Sequence, residues 1–497
     1  MLANANVDES VMGGTTGRED IAESLYRVAV LRRVLTNTSI YAAGEVLGRL
    51  AVFALVPIYT VLLPPEELAV WGLGAMLMQG LTVLYGMGTQ AALPQFQYPL
   101  LDRPDELRRT NGSIAIFLLV WGPALHLLLE AVAPALLERW LPGLPWAPHG
   151  RLISLTCLAG ITAIVPIARW TTTERPRPFV AASLGRSLVE LSATLTLLLA
   201  TDLDVLSLFL GRFLAHGLLS LPLAWVTARS VQWSLRIADV RAVLTFALPL
   251  VPDLLAAWAL TMSDRVLLAW LSDDRQLGLY TAAYWFPLAL GLVAINANRA
   301  WAPRFHKNIE ALEAQDGLRR STTAFLLGMG WLGLAVAALA PDVVRVAFGP
   351  EYREAAGMAA VLGLIGPMLG VWQVGVAPLY AKMRRFAIPL ATGSAALAGV
   401  LLNLWAIPRY GALGAAWSTV ASYGVLAVAV WIAGRTLPRA PIDPRALRFG
   451  ILAGAPAFVV VLSVDGWLPG PWWGAVPLDL LILAAAALLV RTQLRDP

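Results

Sequence analysis

The chain has 497 residues, of which 58% are hydrophobic and only 14% charged, with mean hydropathy +0.67. Soluble proteins of this size carry roughly a quarter charged residues. The composition therefore excludes a water-soluble enzyme, and a nucleic-acid binder is excluded despite the pI near 9.5, because the basic residues are dispersed. A single cysteine, Cys157, rules out an intrachain disulfide.

In chain order, residues 1–19 read as a disordered polar tail. They lack an apolar core, so membrane insertion is expected to fall to the first spanning helix. Residues 20–35 place Ile21, Leu25, Val28, Leu31 and Leu35 at helical spacing beside Arg27, Arg32 and Arg33, the pattern of an amphipathic helix on the membrane surface. Apolar segments follow at 36–63, 69–94, 111–137, 151–170, 178–200, 205–228, 242–271, 277–303, 322–340, 355–381, 386–408, 411–434, 447–465 and 471–490. Each is long enough to cross a hydrocarbon core of ~30 Å as a helix. The expected fold is an all-α integral membrane protein of about fourteen transmembrane helices.

Charge sets the orientation. With the N-terminus placed in the cytoplasm, 26 of the 37 Lys and Arg residues fall in cytoplasmic segments, 6 in outer loops and 5 inside helices. Outer loops are acidic instead, at Glu66-Glu67 and at Asp202 with Asp204. This is the bias that fixes topology during insertion, and it predicts both termini inside.

The chain also repeats. A shift of 209 residues superposes Leu68 on Leu277, Trp71 on Tyr280, Ala91 on Ala300, Pro94 on Pro303 and Phe96 on Phe305. The expected organisation is a tail with a surface helix (1–35), a six-helix lobe (36–229), a second six-helix lobe (241–434) and two extra helices (447–490). An even number of helices per lobe gives both the same orientation. They would be related by a pseudo-twofold axis along the membrane normal, with the transport path between them.

Ionisable residues within membrane helices are costly, about 2.5–3.5 kcal/mol for an Arg at the bilayer centre. Arg49, Arg186, Arg212, Arg265 and Arg299 are therefore expected to face a watery cavity or a partner. Asp264, Arg265 and Arg299 lie near helix ends, where snorkelling is cheap. Glu45 with Arg49, and Arg186 with Glu190, are four apart on one helix face. They form either intrahelical ion pairs or a cavity whose guanidiniums grip an anionic headgroup. Arg212, one turn from His216, has no evident local acid and is the strongest single candidate for a substrate contact. Asp253, Glu45 and Glu190 are candidates for ion coupling. Gln90, Asn296 and Gln373 could hydrogen-bond sugar hydroxyls, or another helix. Most tryptophans, including Trp71, Trp140 and Trp270, mark helix ends as interfacial anchors.

The chain contains no phosphate-cradling G-x-x-x-x-G-K-[ST] and no metal-ligand spacing among its four histidines. It has no large loop to house a catalytic domain. A transporter is favoured over an enzyme, with no bound cofactor expected.

Several stretches resemble the oligosaccharide-lipid flippases of the multidrug/oligosaccharidyl-lipid/polysaccharide exporter superfamily. They are Asn37 to Tyr41 through Pro57-Ile58-Tyr59 to Pro64-Pro65-Glu66-Glu67-Leu68; Pro249, Pro252, Ser263-Asp264-Arg265 and Leu277-Gly278-Leu279-Tyr280; Phe348-Gly349-Pro350-Glu351-Tyr352; and Asn403 through Pro408 to Tyr410-Gly411-Ala412. The resemblance spans 36 to about 434. It implies a lobed, V-shaped transporter of the bacterial inner membrane working by alternating access. The implied cargo is a polyprenyl-pyrophosphate-linked oligosaccharide for O-antigen or exopolysaccharide synthesis, in a cationic cavity. Drive would come from H+, Na+ or the membrane potential rather than ATP. Membrane lipids and the polysaccharide polymerase machinery are the implied partners, and nucleic acid is not one. The alternatives are a cation-coupled multidrug exporter of the same superfamily and a membrane-embedded glycan-processing enzyme.

Overall fold

The structure, a computed structural model, describes residues 53–437 and 441–448 together with Gly44 and Gly48, apart from 142, 308–315, 383, 385 and 446. The expected surface helix at 20–35, the expected helix at 471–490, and most of the expected helices at 36–63 and 447–465 lie outside the described residues.

Among the described residues the regular structure is entirely helical. The order is α1 (Leu55–Leu62), α2 (Pro65–Gly86), α3 (Thr89–Gln97), α4 (Pro104–Trp140), α5 (Arg151–Gly160), α6 (Ile164–Thr172), α7 (Pro176–Ala200), α8 (Leu206–Ser230), α9 (Ile237–Ala247) and α10 (Val251–Leu271). There follow α11 (Asp274–Ala283), α12 (Trp285–Lys307), α13 (Asp316–Ala347), α14 (Ala355–Gly363), α15 (Ile365–Ala381) and α16 (Ala387–Ala433). Proline opens α2, α4 and α7, where its missing N–H costs nothing and its fixed φ suits the first turn.

Ten stretches among the described residues are long and apolar enough to cross a membrane. One of them, α16, turns at Gly411 (φ 56°, ψ −140°), and the chain doubles back there. Gly414 lies against the Ala406 carbonyl and Gly399 against Ser422, so the two arms run as an antiparallel hairpin and cross twice. The eleven helices expected between 69 and 434 thus have counterparts. Large apolar side chains such as Leu127, Leu199, Leu221 and Leu390 point outward and are exposed. A bilayer is the solvent that removes the penalty for such a surface.

Several expected helices are split, and two of the breaks come together. Helix two stops at Met87 and Gly88, both at positive φ (45° and 72°), before α3 resumes. Helix seven is interrupted by a tight turn at Leu248–Leu250 between α9 and α10. The breaks meet: a side chain on Gly88 would press into the Ala247 carbonyl. In consequence α9 packs on α3 and α4 of the first half, while α10 packs on α16 of the second.

The halves close against each other at the predicted outer end. Gly278 of α11 sits against the Pro65 backbone and Gly72 of α2 against Thr281. Only a residue without Cβ permits the first approach. The Tyr352 hydroxyl donates to the Leu63 carbonyl at 3.0 Å. Trp258 of α10 donates to the Met76 carbonyl at 2.9 Å, so this tryptophan ties the halves together by a hydrogen bond. Trp140 and Trp270 are exposed and pair ring to ring 5.7 Å apart, as interfacial anchors do. Trp71, expected at an interface, is instead buried.

Candidate substrate cavity

Between the halves lies a cavity of about 510 Å³. Its walls come from Gly48, Phe53, α2 (Met78), α7 (Phe179, Ser183, Arg186, Ser187, Glu190), α8 (Arg212, His216) and α12 (Leu288, Arg299), with Trp285 at the start of α12. The α7 residues Ser183, Arg186, Ser187 and Glu190 fall at i, i+3, i+4 and i+7, so a single helix face carries them all. Gly48 packs over Ser187.

Close packing of α7 on α8 decides how the charges pair. Gly211 lies flush against Thr194, where any side chain would collide with its backbone and hydroxyl. That approach brings the next residue, Arg212, beside Glu190. Arg212 Nε donates to Glu190 Oε1 at 2.6 Å, a charge-assisted bond. The guanidinium also lies 4.8 Å above the centre of the Trp71 ring, within the range of a cation–π contact. Its Nη1 points to the Met78 sulfur at 3.8 Å.

Two expectations from sequence spacing are corrected by this geometry. Arg212 does have an acid partner, but it comes from the neighbouring helix. Glu190 pairs with Arg212 rather than with Arg186 one turn away. Arg186 lines the cavity and makes no hydrogen bond or ion pair among the described residues; Glu190 and Arg212 are the charges that act on it most strongly.

Of the arginines singled out in the sequence, Arg186, Arg212 and Arg299 converge on this cavity, together with Glu190. Arg299 is exposed and reaches Asn296 Oδ1 at 3.4 Å. Asn296 also donates to the Leu292 carbonyl. Arg49 and Glu45 lie outside the described residues. Gln90 is exposed at the start of α3, Gln373 is buried in α15 and Asp253 sits in the first turn of α10; none of these three lines the cavity.

Arg265 does not line it either. Asp264 and Arg265 are 2% and 4% exposed, so they do not snorkel from a helix end. They bind each other at 3.0 Å. Tyr280 donates to the second Asp264 oxygen and shares a 2.9 Å hydrogen bond with Thr419. The Arg265 guanidinium lies 4.2 Å from the Tyr284 ring centre. The adjacency of Asp264 and Arg265 in sequence gave no hint of the tyrosines that enclose them.

Aromatic walls were the least legible part of the site. Phe53 and Trp285 meet edge to face at 5.3 Å, and Phe179 adds an aromatic ring on the same face of α7 as Arg186. The i, i+3, i+4, i+7 polar stripe on α7 was visible in the sequence and would have added Ser183 and Ser187.

Comparison with known proteins agrees with this architecture. A family model described as polysaccharide biosynthesis protein matches residues 34–309. No curated protein sequence matches the chain significantly. Among solved structures, the fold is similar to the lipid II flippase MurJ in an inward closed conformation. The TM-score is 0.72 at 13% identity, covering 90% of this chain and 98% of that one. It is also similar to an inward-facing multidrug resistance MATE family transporter of the MOP superfamily, with TM-score 0.64 at 14% identity, covering 80% and 94%. A mutant of the Vibrio cholerae MATE transporter VcmN gives TM-score 0.59 at 14% identity, covering 82% and 96%. At such identities the likeness is one of fold.

Proposed function

The chain belongs to the polysaccharide biosynthesis protein family, and from that premise we propose that it is a flippase for a polyprenyl-pyrophosphate-linked oligosaccharide. It would carry the repeat unit from the cytoplasmic to the outer leaflet of the bacterial inner membrane, with both termini in the cytoplasm. The observation that carries this reading is the cavity itself: three arginines against one carboxylate among the described residues, with aromatic rings in the same lining, between two halves that close at the predicted outer end. Guanidinium forks match phosphate oxygens bidentately. Aromatic rings offer apolar faces to sugars or to a prenyl chain.

In this reading Glu190 holds Arg212 in place over Trp71, so its remaining donors are preorganised for the pyrophosphate. Arg186 supplies a second grip and Arg299 a third nearer the mouth. Two lobes, 36–229 and 241–434, would then rock about the α2–α11 contact to expose the cavity to the other side. A proton or sodium gradient, or the membrane potential, would drive the cycle, with Asp253 and Glu190 as the described carboxylates available for coupling.

The test is a deletion strain complemented by the wild type and by Arg186→Ala. Deletion should accumulate lipid-linked repeat units facing the cytoplasm and remove surface polysaccharide. Arg186→Ala, inserted at wild-type level, should fail to restore it. Intact surface glycan with new drug sensitivity would instead assign the cavity to multidrug export.

A further inference from the structure

A second site lies in the first half, away from the cavity and facing the lipid. At the predicted inner end, α4, the α5–α6 junction and α8 leave a shallow crevice. Leu118 and Leu119 form one wall, Ile161 and Val165 the next, and Ala224 with Trp233 the third. Its lining is almost wholly apolar, while its inner rim is strongly basic. Arg169 lies one turn beyond Val165 on α6, half-buried, and its Nη1 reaches only the Ser230 carbonyl, at 3.4 Å. The charges that act on it most are those of Arg175 and Arg108. No carboxylate pairs with it among the described residues.

The rim is held in place. Gln232 donates its backbone N–H to the Arg108 carbonyl at 2.9 Å, and Ser113 Oγ donates to the Ser234 carbonyl at 2.9 Å. Gly112 lets this strand of linker lie directly on α4, because any side chain there would strike the Gln232 carbonyl. The docking fixes Trp233 at the crevice mouth and Arg108 beside Arg169.

An arginine held between two others with no acid partner wants an anion. An apolar groove running from it into the membrane wants a hydrocarbon chain. We propose that this crevice binds an anionic glycerophospholipid of the surrounding leaflet, its phosphate on Arg169 and one acyl chain against Leu119, Ala224 and Trp233. Basic pockets at the cytoplasmic ends of membrane helices recognise such headgroups by this combination. The bound lipid would brace α4, α6 and α8 where the linker to the second half departs.

Native mass spectrometry of the purified full-length protein tests this, with dioleoyl-phosphatidylglycerol and dioleoyl-phosphatidylcholine added separately. The wild type should bind phosphatidylglycerol more tightly. Arg169→Gln should weaken phosphatidylglycerol about fivefold, the worth of one arginine near an anionic surface, and leave phosphatidylcholine unchanged. Arg169→Lys should keep most of the preference. Ala224→Trp, which fills the crevice, should weaken both lipids. Arg241→Gln, an exposed position on α9 outside the crevice lining, should change neither. Equal binding of the two lipids by the wild type would overturn the proposal. So would equal losses in Arg169→Gln and Arg241→Gln, since that means diffuse surface charge. Displacement of phosphatidylglycerol by an equal concentration of polyprenyl phosphate would overturn the phospholipid in favour of the cargo.

Discussion

Glu190–Arg212 in the first half and Asp264–Arg265 in the second are both carboxylate–guanidinium pairs inside membrane helices, 2.6 Å and 3.0 Å long. They differ in their surroundings. Around Asp264 the neighbours complete the pair: Tyr280, itself bonded to Thr419, donates to the second carboxylate oxygen, and Tyr284 covers the guanidinium. Around Arg212 only Nε is bound to the carboxylate, and the other face of the pair opens on a cavity shared with Arg186 and Arg299. A sealed pair, with both carboxylate oxygens bonded, holds structure. An open one, with donors to spare beside the Arg186 charge, is placed to meet an anion. The lesson is that intramembrane charge does not mark function by itself; the accessible remainder of its hydrogen-bonding capacity does.

The sharpest way to break this comparison is Asp264→Ala. It leaves Arg265 buried without a counter-charge, which should cost about 3–5 kcal/mol and show as a large drop in the thermal midpoint of the purified protein. Unchanged stability with lost export would make the second pair a working site too. Arg212→Gln comes next. It removes a charge-assisted bond worth about 1.5–3 kcal/mol, so export should fall at least roughly tenfold, with a smaller drop in thermal midpoint than Asp264→Ala because Glu190 keeps the Arg186 charge nearby. A stability loss matching that of Asp264→Ala would erase the distinction. The smallest effect on export sharpens it: Tyr280→Phe deletes the hydroxyl's two hydrogen bonds in the sealed cluster, at about 1 kcal/mol each, and should leave export intact.

Much of this molecule was legible in its sequence because the bilayer imposes strong rules. Apolar length gave the helices from 69 to 434, although those expected to start at 69, 111 and 178 begin earlier, at Pro65, Pro104 and Pro176, where proline suits the first turn. The cost of ionised side chains in hydrocarbon flagged Arg186, Glu190, Arg212 and Arg299, which share one cavity. Spacing along a helix failed at the pairing. Arg186 and Glu190 are one turn apart, yet Glu190 bonds across to Arg212, because Gly211 lets α8 press onto α7. It failed again at Asp264, whose partner Tyr280 lies 16 residues on and is itself bonded to Thr419 a further 139 residues along the chain.

By itself, then, the sequence determined that the chain is a bundle of membrane helices and which of its charges must be answered for, since transfer into lipid is a local property of each segment. Which charge answers which, and which is left facing a cavity, was decided only when the helices packed. Hydrogen-bond partners inside a membrane are chosen by a few ångströms of inter-helix distance, set here by glycines at 211 and 278, and no pattern along one helix encodes that distance.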